Sequence, residues 1–232
     1  MYNFKEMKVG DIVTNDFRTA QVFKNYGIDF CCGGNVKLES IAKEKNIDLD
    51  EIEGKLKNPE GIGGGKAALN YKDWSPDFLA DYIVNQFHNK VYRNIQQIME
   101  YVTKIAQVHG ERHPELYEIS EIFKLIYTEM PVHQRQEEKI FFPAIKEVLN
   151  TGDKEAKEII HSQLKDMKEE HEMIGGSMDR INVLSNGYEI PSDACKTYMV
   201  AYKMLEEFED DLHVHVHLEN NILFPKAEKL AN

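Results

Sequence analysis

The chain has 232 residues, which suits one large or two small domains, and 42% of them are hydrophobic, sufficient for a core. Acidic residues number 40 against 28 basic ones, giving a formal charge of -12. Nucleic acid and anionic membrane surfaces would repel such a chain, so small ligands and metal ions remain as partners. No apolar run approaches the roughly 20 residues of a spanning helix. The N-terminus, Met1-Tyr2-Asn3-Phe4-Lys5-Glu6, lacks the basic-then-apolar pattern of a secretory leader. Cys31, Cys32 and Cys195 are too few for a disulfide framework, and a soluble, cytoplasmic protein is expected.

In chain order, residues 1–57 read as a small helical domain. Asn15 or Asp16 caps a helix carrying Ala20, Val22, Phe23 and Tyr26, which Gly27 ends. A turn over Ile28 to Gly34 holds Cys31 and Cys32, and two short helices follow, near Leu38 to Lys45 and Leu49 to Leu56. Residues 58–73 read as a flexible linker, because Pro59 and the clustered glycines from Gly61 to Gly65 cannot continue a helix.

A larger domain spans 74–232. Ser75 and Pro76 start a first long helix with apolar residues at Phe78, Tyr82, Ile83, Phe87, Val91, Ile95, Ile98 and Val102, a period near 3.6. A second runs from Glu115 to Leu149 and should bend at Pro131. A third runs from about Lys154 to Leu184, and a fourth begins at a cap on Ser192 or Asp193. Long helices with short connections predict an all-α, up-down-up-down four-helix bundle preceded by the small helical domain.

The strongest signal is an internal repeat. His133-Gln134-Arg135-Gln136-Glu137 and His215-Val216-His217-Leu218-Glu219 share His-x-x-x-Glu, and Ile140, Phe142 and Pro143 recur as Ile222, Phe224 and Pro225. Four-residue spacing places His and Glu one turn apart on one helix face, which is metal-ligand spacing. His88 and His171, on the first and third helices, are separated by nearly the same number of residues as the two motifs. Alone, each would read as a hydrogen-bonded core histidine; beside the doubled motif they complete a set of four. Four imidazoles and two bridging carboxylates suit two metal ions, iron ahead of manganese or zinc, with positions left for O2 or NO.

At about 1.5 Å rise per residue, His88, His133 and His171 lie level in the bundle, whereas His171 and His215 differ by roughly 13 Å. Either the fourth helix starts later than Asp193 or the preceding connection climbs above the bundle. The trailing Ile222, Phe224 and Pro225 read as core packing and a helix stop, His217 as a bystander on another face, and His109 and His113 as turn residues. Glu138 and Glu170 read either as solvated or as neighbours able to orient a ligand imidazole. Adjacent Cys31 and Cys32 bridge each other only with strain, so they read as free thiols, either buried apolar residues or carriers of metal or electrons.

Asp29-Phe30-Cys31-Cys32-Gly33-Gly34 in a short N-terminal domain, joined to this bundle, resembles the RIC (repair of iron centres) proteins. The stretch from His215 to Asn221 is similar to that family's final-helix motif, and His133 to Pro143 to its second-helix motif. The resemblance implies a hemerythrin-like bundle with a non-haem di-iron centre, oxo- and carboxylate-bridged, held by His88, His133, His171 and His215 with Glu137 and Glu219 bridging. It also implies a stress-response protein that restores iron-sulfur clusters damaged by nitric oxide or oxidants, through iron donation, NO binding or NO reduction, with Cys31 and Cys32 assisting transfer. Damaged iron-sulfur proteins or a cluster-assembly scaffold would be its partners, and a homodimer is open. The alternative is a hemerythrin-like O2- or NO-binding sensor without turnover.

Overall fold

In the N-terminal unit, apolar residues spaced for short amphipathic turns close a small core of Val9, Ile12, Val13, Val22, Phe23, Leu38 and Ile52. The computed structural model describes residues 3–59 and 70–232, so positions 60–69 of the expected linker lie outside the described residues. Among the described residues the unit has four α-helices: α1 (Val9–Asn15), α2 (Ala20–Asn25), α3 (Leu38–Glu44) and α4 (Leu49–Lys57). Helix α1 is additional to the three expected from sequence. Asp16 caps a 3-10 turn, Phe17–Thr19, that leads into α2. Gly27, at φ 59°, turns the chain out of α2, a conformation that costs glycine little.

Four helical arms follow. The first is α5 (Pro76–Ile83) and α6 (Asn89–His109), joined by a π-helical turn at Val84–His88. The second is α7 (Glu115–Gln136), a π-turn at Glu137–Phe141 and α8 (Phe142–Thr151). The third is α9 (Lys154–Leu184), and the fourth is α10 (Lys196–Leu218), a π-turn at Glu219–Leu223 and α11 (Phe224–Ala231). Each arm packs on its sequence neighbours and the fourth closes on the first, which is the all-α, up-down-up-down bundle. Asp153 caps α9 by accepting from the Ala156 amide at 2.8 Å.

Helix α7 continues through Pro131. Three local expectations are corrected. Pro225 does not stop the fourth arm, which continues to Ala231 beyond a π-turn. Phe78, expected inward, is 53% exposed and packs on Trp74. Helix α10 begins at Lys196 with Cys195 at its N-cap, later than Ser192 or Asp193. That recovers roughly 4 Å of the 13 Å height mismatch. The connecting segment 185–195 buries Tyr188.

The bundle holds two apolar cores stacked end to end. One contains Val91, Met130, Ile174 and Leu212, the other Phe87, Phe141, Met167 and Leu218. Between these pairs, on every arm, lies a buried histidine: His88, His133, His171 or His215.

The N-terminal unit docks on the fourth arm. Gly10 and Gly34 lie so close to Asn221 that a Cβ at Gly10 would come within 2.5 Å of its side-chain oxygen. The Asn221 amide donates to the carbonyls of Phe30 (3.3 Å) and Cys31 (3.1 Å). The thiol of Cys32 donates to the His171 carbonyl at 3.4 Å, over Gly175, where a Cβ would stand 3.0 Å from the sulfur. Replacing Gly175 by Leu should lift the cysteine loop. The expected outcome is modification of buried Cys31 by a thiol reagent at least about tenfold faster at unchanged helicity; an unchanged rate would refute this docking.

Candidate metal centre

The π-turns set the site. A π-turn inserts an extra residue into the helical ladder and re-aims the side chains around it. In two arms the cause is readable: Pro143 and Pro225 have no N–H for the carbonyl four residues back, so the ladder before each widens. Glu137 and Glu219 open these two turns and point inward. The turn ending at His88 has no proline, and nothing in its sequence marks it.

The structure brings together all six residues expected of the site. His88 Nε2 lies 3.1 Å from His215 Nε2, and His133 Nε2 lies 2.9 Å from His171 Nε2. Glu137 Oε2 is 3.5 Å from His88 and 3.4 Å from His133, and so touches both pairs. Glu219 does the same, at 3.0 Å from His215 and 3.3 Å from His171. All six are buried, both glutamates completely.

The outer ring nitrogens are fixed by neighbours in a repeated pattern. His88 Nδ1 donates to Glu138 Oε1 at 2.9 Å, and His171 Nδ1 donates to Asn220 Oδ1 at 2.9 Å. Glu138 and Asn220 are the residues that follow the two motif glutamates. Phe142 stacks on His88 and Phe224 on His171, again at matching positions of the repeat. His133 Nδ1 donates to Glu170 at 2.5 Å, and Phe87 stacks on His215 with an interplanar angle of 6°. Glu138 and Glu170 thus orient imidazoles, and the trailing phenylalanines contact ligand-candidate rings rather than serving only as packing.

This pattern tests the site for a metal. Three rings commit their proton to Nδ1, so their Nε2 atoms face inward as bare lone pairs, crowded at 2.9–3.1 Å. Both oxygens of Glu137 and Oε2 of Glu219 are buried without a hydrogen-bond partner. Burial and the Glu219 charge push the Glu137 carboxyl well above its ordinary range. Burial would raise Glu219 too, but His215, with His88 and His171, holds it well below. Burial lowers His88 and takes His171 down to about 4, so that ring is neutral. Neutral imidazole lone pairs around orphaned carboxylates are the donor set of a cation, and the residues fit one.

Three other candidates lie elsewhere. His217 is not a surface bystander: it is fully buried, its Nδ1 3.4 Å from the Phe30 carbonyl and 3.2 Å from Asn221, its ring against Phe17 and Phe30. Burial lowers its pKa to about 4, and it faces the N-terminal unit instead of the centre. His109, last residue of α6, packs at the far end of the bundle against Tyr198 and the thiol of Cys195. Cys31 and Cys32 are free, with sulfurs 3.9 Å apart. Cys31 donates to Asp29 at 3.1 Å, and Cys32 beside it, with burial and Asp29, pushes its thiol up.

Fold and centre define a cation-binding helical bundle of the hemerythrin type. A sequence profile of the hemerythrin HHE cation binding domain matches residues 79–227, and that of ScdA_N, a domain of unknown function, matches residues 5–60. The chain is 34% identical to the iron-sulfur cluster repair protein ScdA of Staphylococcus epidermidis, over 96% of this chain and 98% of that one. It is 34% identical to a probable iron-sulfur cluster repair protein of Haemophilus influenzae (97% and 98% covered) and 29% identical to the iron-sulfur cluster repair protein YtfE of Pectobacterium atrosepticum (97% of each). The chain belongs to the ScdA and YtfE family of iron-sulfur cluster repair proteins. No helix among the described residues is long and apolar enough to cross a membrane.

A bound cation should stabilise the fold, since the unfolded chain has no such site. Adding divalent metal to metal-free protein should raise its melting temperature, and Glu137→Gln should remove most of that rise. The same variant, which puts a neutral amide where burial already disfavours the charged carboxylate, should be at least as stable as the parent without metal. A metal-induced shift that survives Glu137→Gln would show that the cation binds elsewhere.

Proposed function

We propose that the chain holds two iron ions, with His88 and His215 serving one, His133 and His171 the other, and Glu137 and Glu219 bridging. We propose further that it uses them to restore iron-sulfur clusters damaged by nitric oxide or oxidants. The observation that carries this reading is the inward set of imidazole lone pairs around two unpartnered carboxylates, in a family named for cluster repair. Iron held there would supply one-electron chemistry and coordination positions for a small ligand such as nitric oxide.

The chain's own residues support each task. Glu138, Glu170 and Asn220 hold the Nδ1 protons outward, which keeps the inner nitrogens free. Phe87, Phe142 and Phe224 cover three of the rings and limit water. A cavity of about 30 Å³ between α6 and α10, lined by Phe87, Val91, Leu212 and His215, has room for a molecule of diatomic size. Lys90 and Asp211, which line it too, form an ion pair. Cys32 rests on the backbone of His171 and, with Cys31 beside it, would pass iron outward.

Anaerobic loading should give two iron per chain, and loaded protein should reactivate an enzyme whose [4Fe-4S] cluster has been damaged by nitric oxide. His133→Ala or Glu219→Gln should lower both the iron content and the reactivation severalfold. A loaded protein that reactivates nothing and forms only a reversible adduct with O2 or NO would establish the sensor reading instead.

A further inference from the structure

Outside the four-histidine layer, the seam between α9, α10 and the N-terminal unit gathers another set of ligand-type side chains. Asp179 on α9 and Glu209 and His213 on α10 bring one donor atom each within 4.8 Å of one another. Glu209 and His213 are four residues apart and share a helix face, the spacing of His215 and Glu219 in reverse order.

The charge balance at this seam is unusual for a structural ion-pair network. Glu209 is only 4% exposed; its Oε2 accepts from Asn182 at 2.9 Å, and the charged groups acting on it are His213 and Asp179. Only Lys45 and His213 offset Asp179, which also feels Asp29. Tyr188 supplies an independent sign. Its ring is 7% exposed, and its hydroxyl is held against Glu209 and Asn182 without a hydrogen bond of regular geometry. Burial raises the carboxyls of both Asp179 and Glu209, and Asp29 adds to the rise at Asp179.

We propose that Asp179, Glu209 and His213 form a third metal site, which takes one divalent first-row transition cation. Two carboxylates and one imidazole without thiolate suit Fe2+, Mn2+, Co2+ or Zn2+. Part of Asp179 faces solvent, so the cation exchanges more freely than one in the closed histidine layer. The site adjoins the cysteine loop: Phe30 packs on His213 at 6.0 Å, and Asp29, which acts on Asp179, also accepts from the Cys31 thiol. On the iron-donation reading above, it is the outer holding point of a route from solvent past the thiols to His171; the binding itself does not depend on that reading.

The test uses the full chain with its histidine centre already filled. Anaerobic titration with Co2+, followed by visible absorption, should show one further equivalent without a sulfur-to-cobalt charge-transfer band. His213→Ala, and the milder Asp179→Asn at the partly exposed position, should each weaken that equivalent at least about tenfold and leave the first two ions in place. No further equivalent, undiminished binding in both variants, or binding lost only on Cys31→Ser with Cys32→Ser would overturn the proposal. Protein that binds the third ion but repairs no cluster would overturn the repair reading alone.

Discussion

Two fully buried carboxylates, Glu137 and Glu219, stand in the middle of the bundle with no lysine or arginine paired to them among the described residues. Moving a carboxylate into a protein interior costs several kcal/mol even after relaxation, and here the pair also repel each other. Three of the imidazoles direct their N–H outward, and although the rings hold Glu219 down, both oxygens of Glu137 are left without a hydrogen-bond partner. The layer is therefore held by what lies above and below it, two apolar cores that clamp each arm on either side of its histidine. It is built as a binding site, and a cation held there would stabilise it.

The duplication explains how one short motif builds a six-residue centre. Each copy of His-x-x-x-Glu supplies its own two donors and then, through the residue after the glutamate and the phenylalanine before the proline, anchors and covers the histidine of another arm. Glu138 and Phe142 serve His88; Asn220 and Phe224 serve His171. The π-turns make this reach feasible. In an unbroken helix, residues four and five positions past the histidine point about 100° apart. Widening the ladder where the glutamate sits lets both sides of the turn face useful partners.

Much of the centre was legible because it is written in residue types with few other uses: buried-face histidines, glutamate one turn on, and a proline that cannot belong to a regular ladder. The bundle was legible from its 3.6-residue apolar period. What escaped depends on contacts between elements distant in sequence. His217 was read as a bystander because two residues from His215 means the opposite helix face; that face is covered by Phe17 and Phe30, whose approach no periodicity announces. Ile140 and Ile222 align in the repeat, yet Ile140 is 45% exposed and Ile222 is 3%. The π-turn before His88 carries no proline, so a continuous helix was the natural expectation there.

The N-terminal unit breaks the symmetry of the two halves, and glycine at one position allows it. Counting four residues on from each unpaired histidine gives Tyr92 after His88 and Gly175 after His171. At Tyr92 a large ring lies beside Glu138 and fills that side of the first arm. At Gly175 the helix surface is bare, and the sulfur of Cys32 occupies the space a side chain would need, within reach of the His171 carbonyl. Asn221, aligned with exposed Lys139, completes the contact from the fourth arm. Two symmetric halves would offer a thiol domain two equivalent places to dock. The exchange of tyrosine for glycine, and of lysine for asparagine, leaves it one, and Cys32 meets the centre at His171.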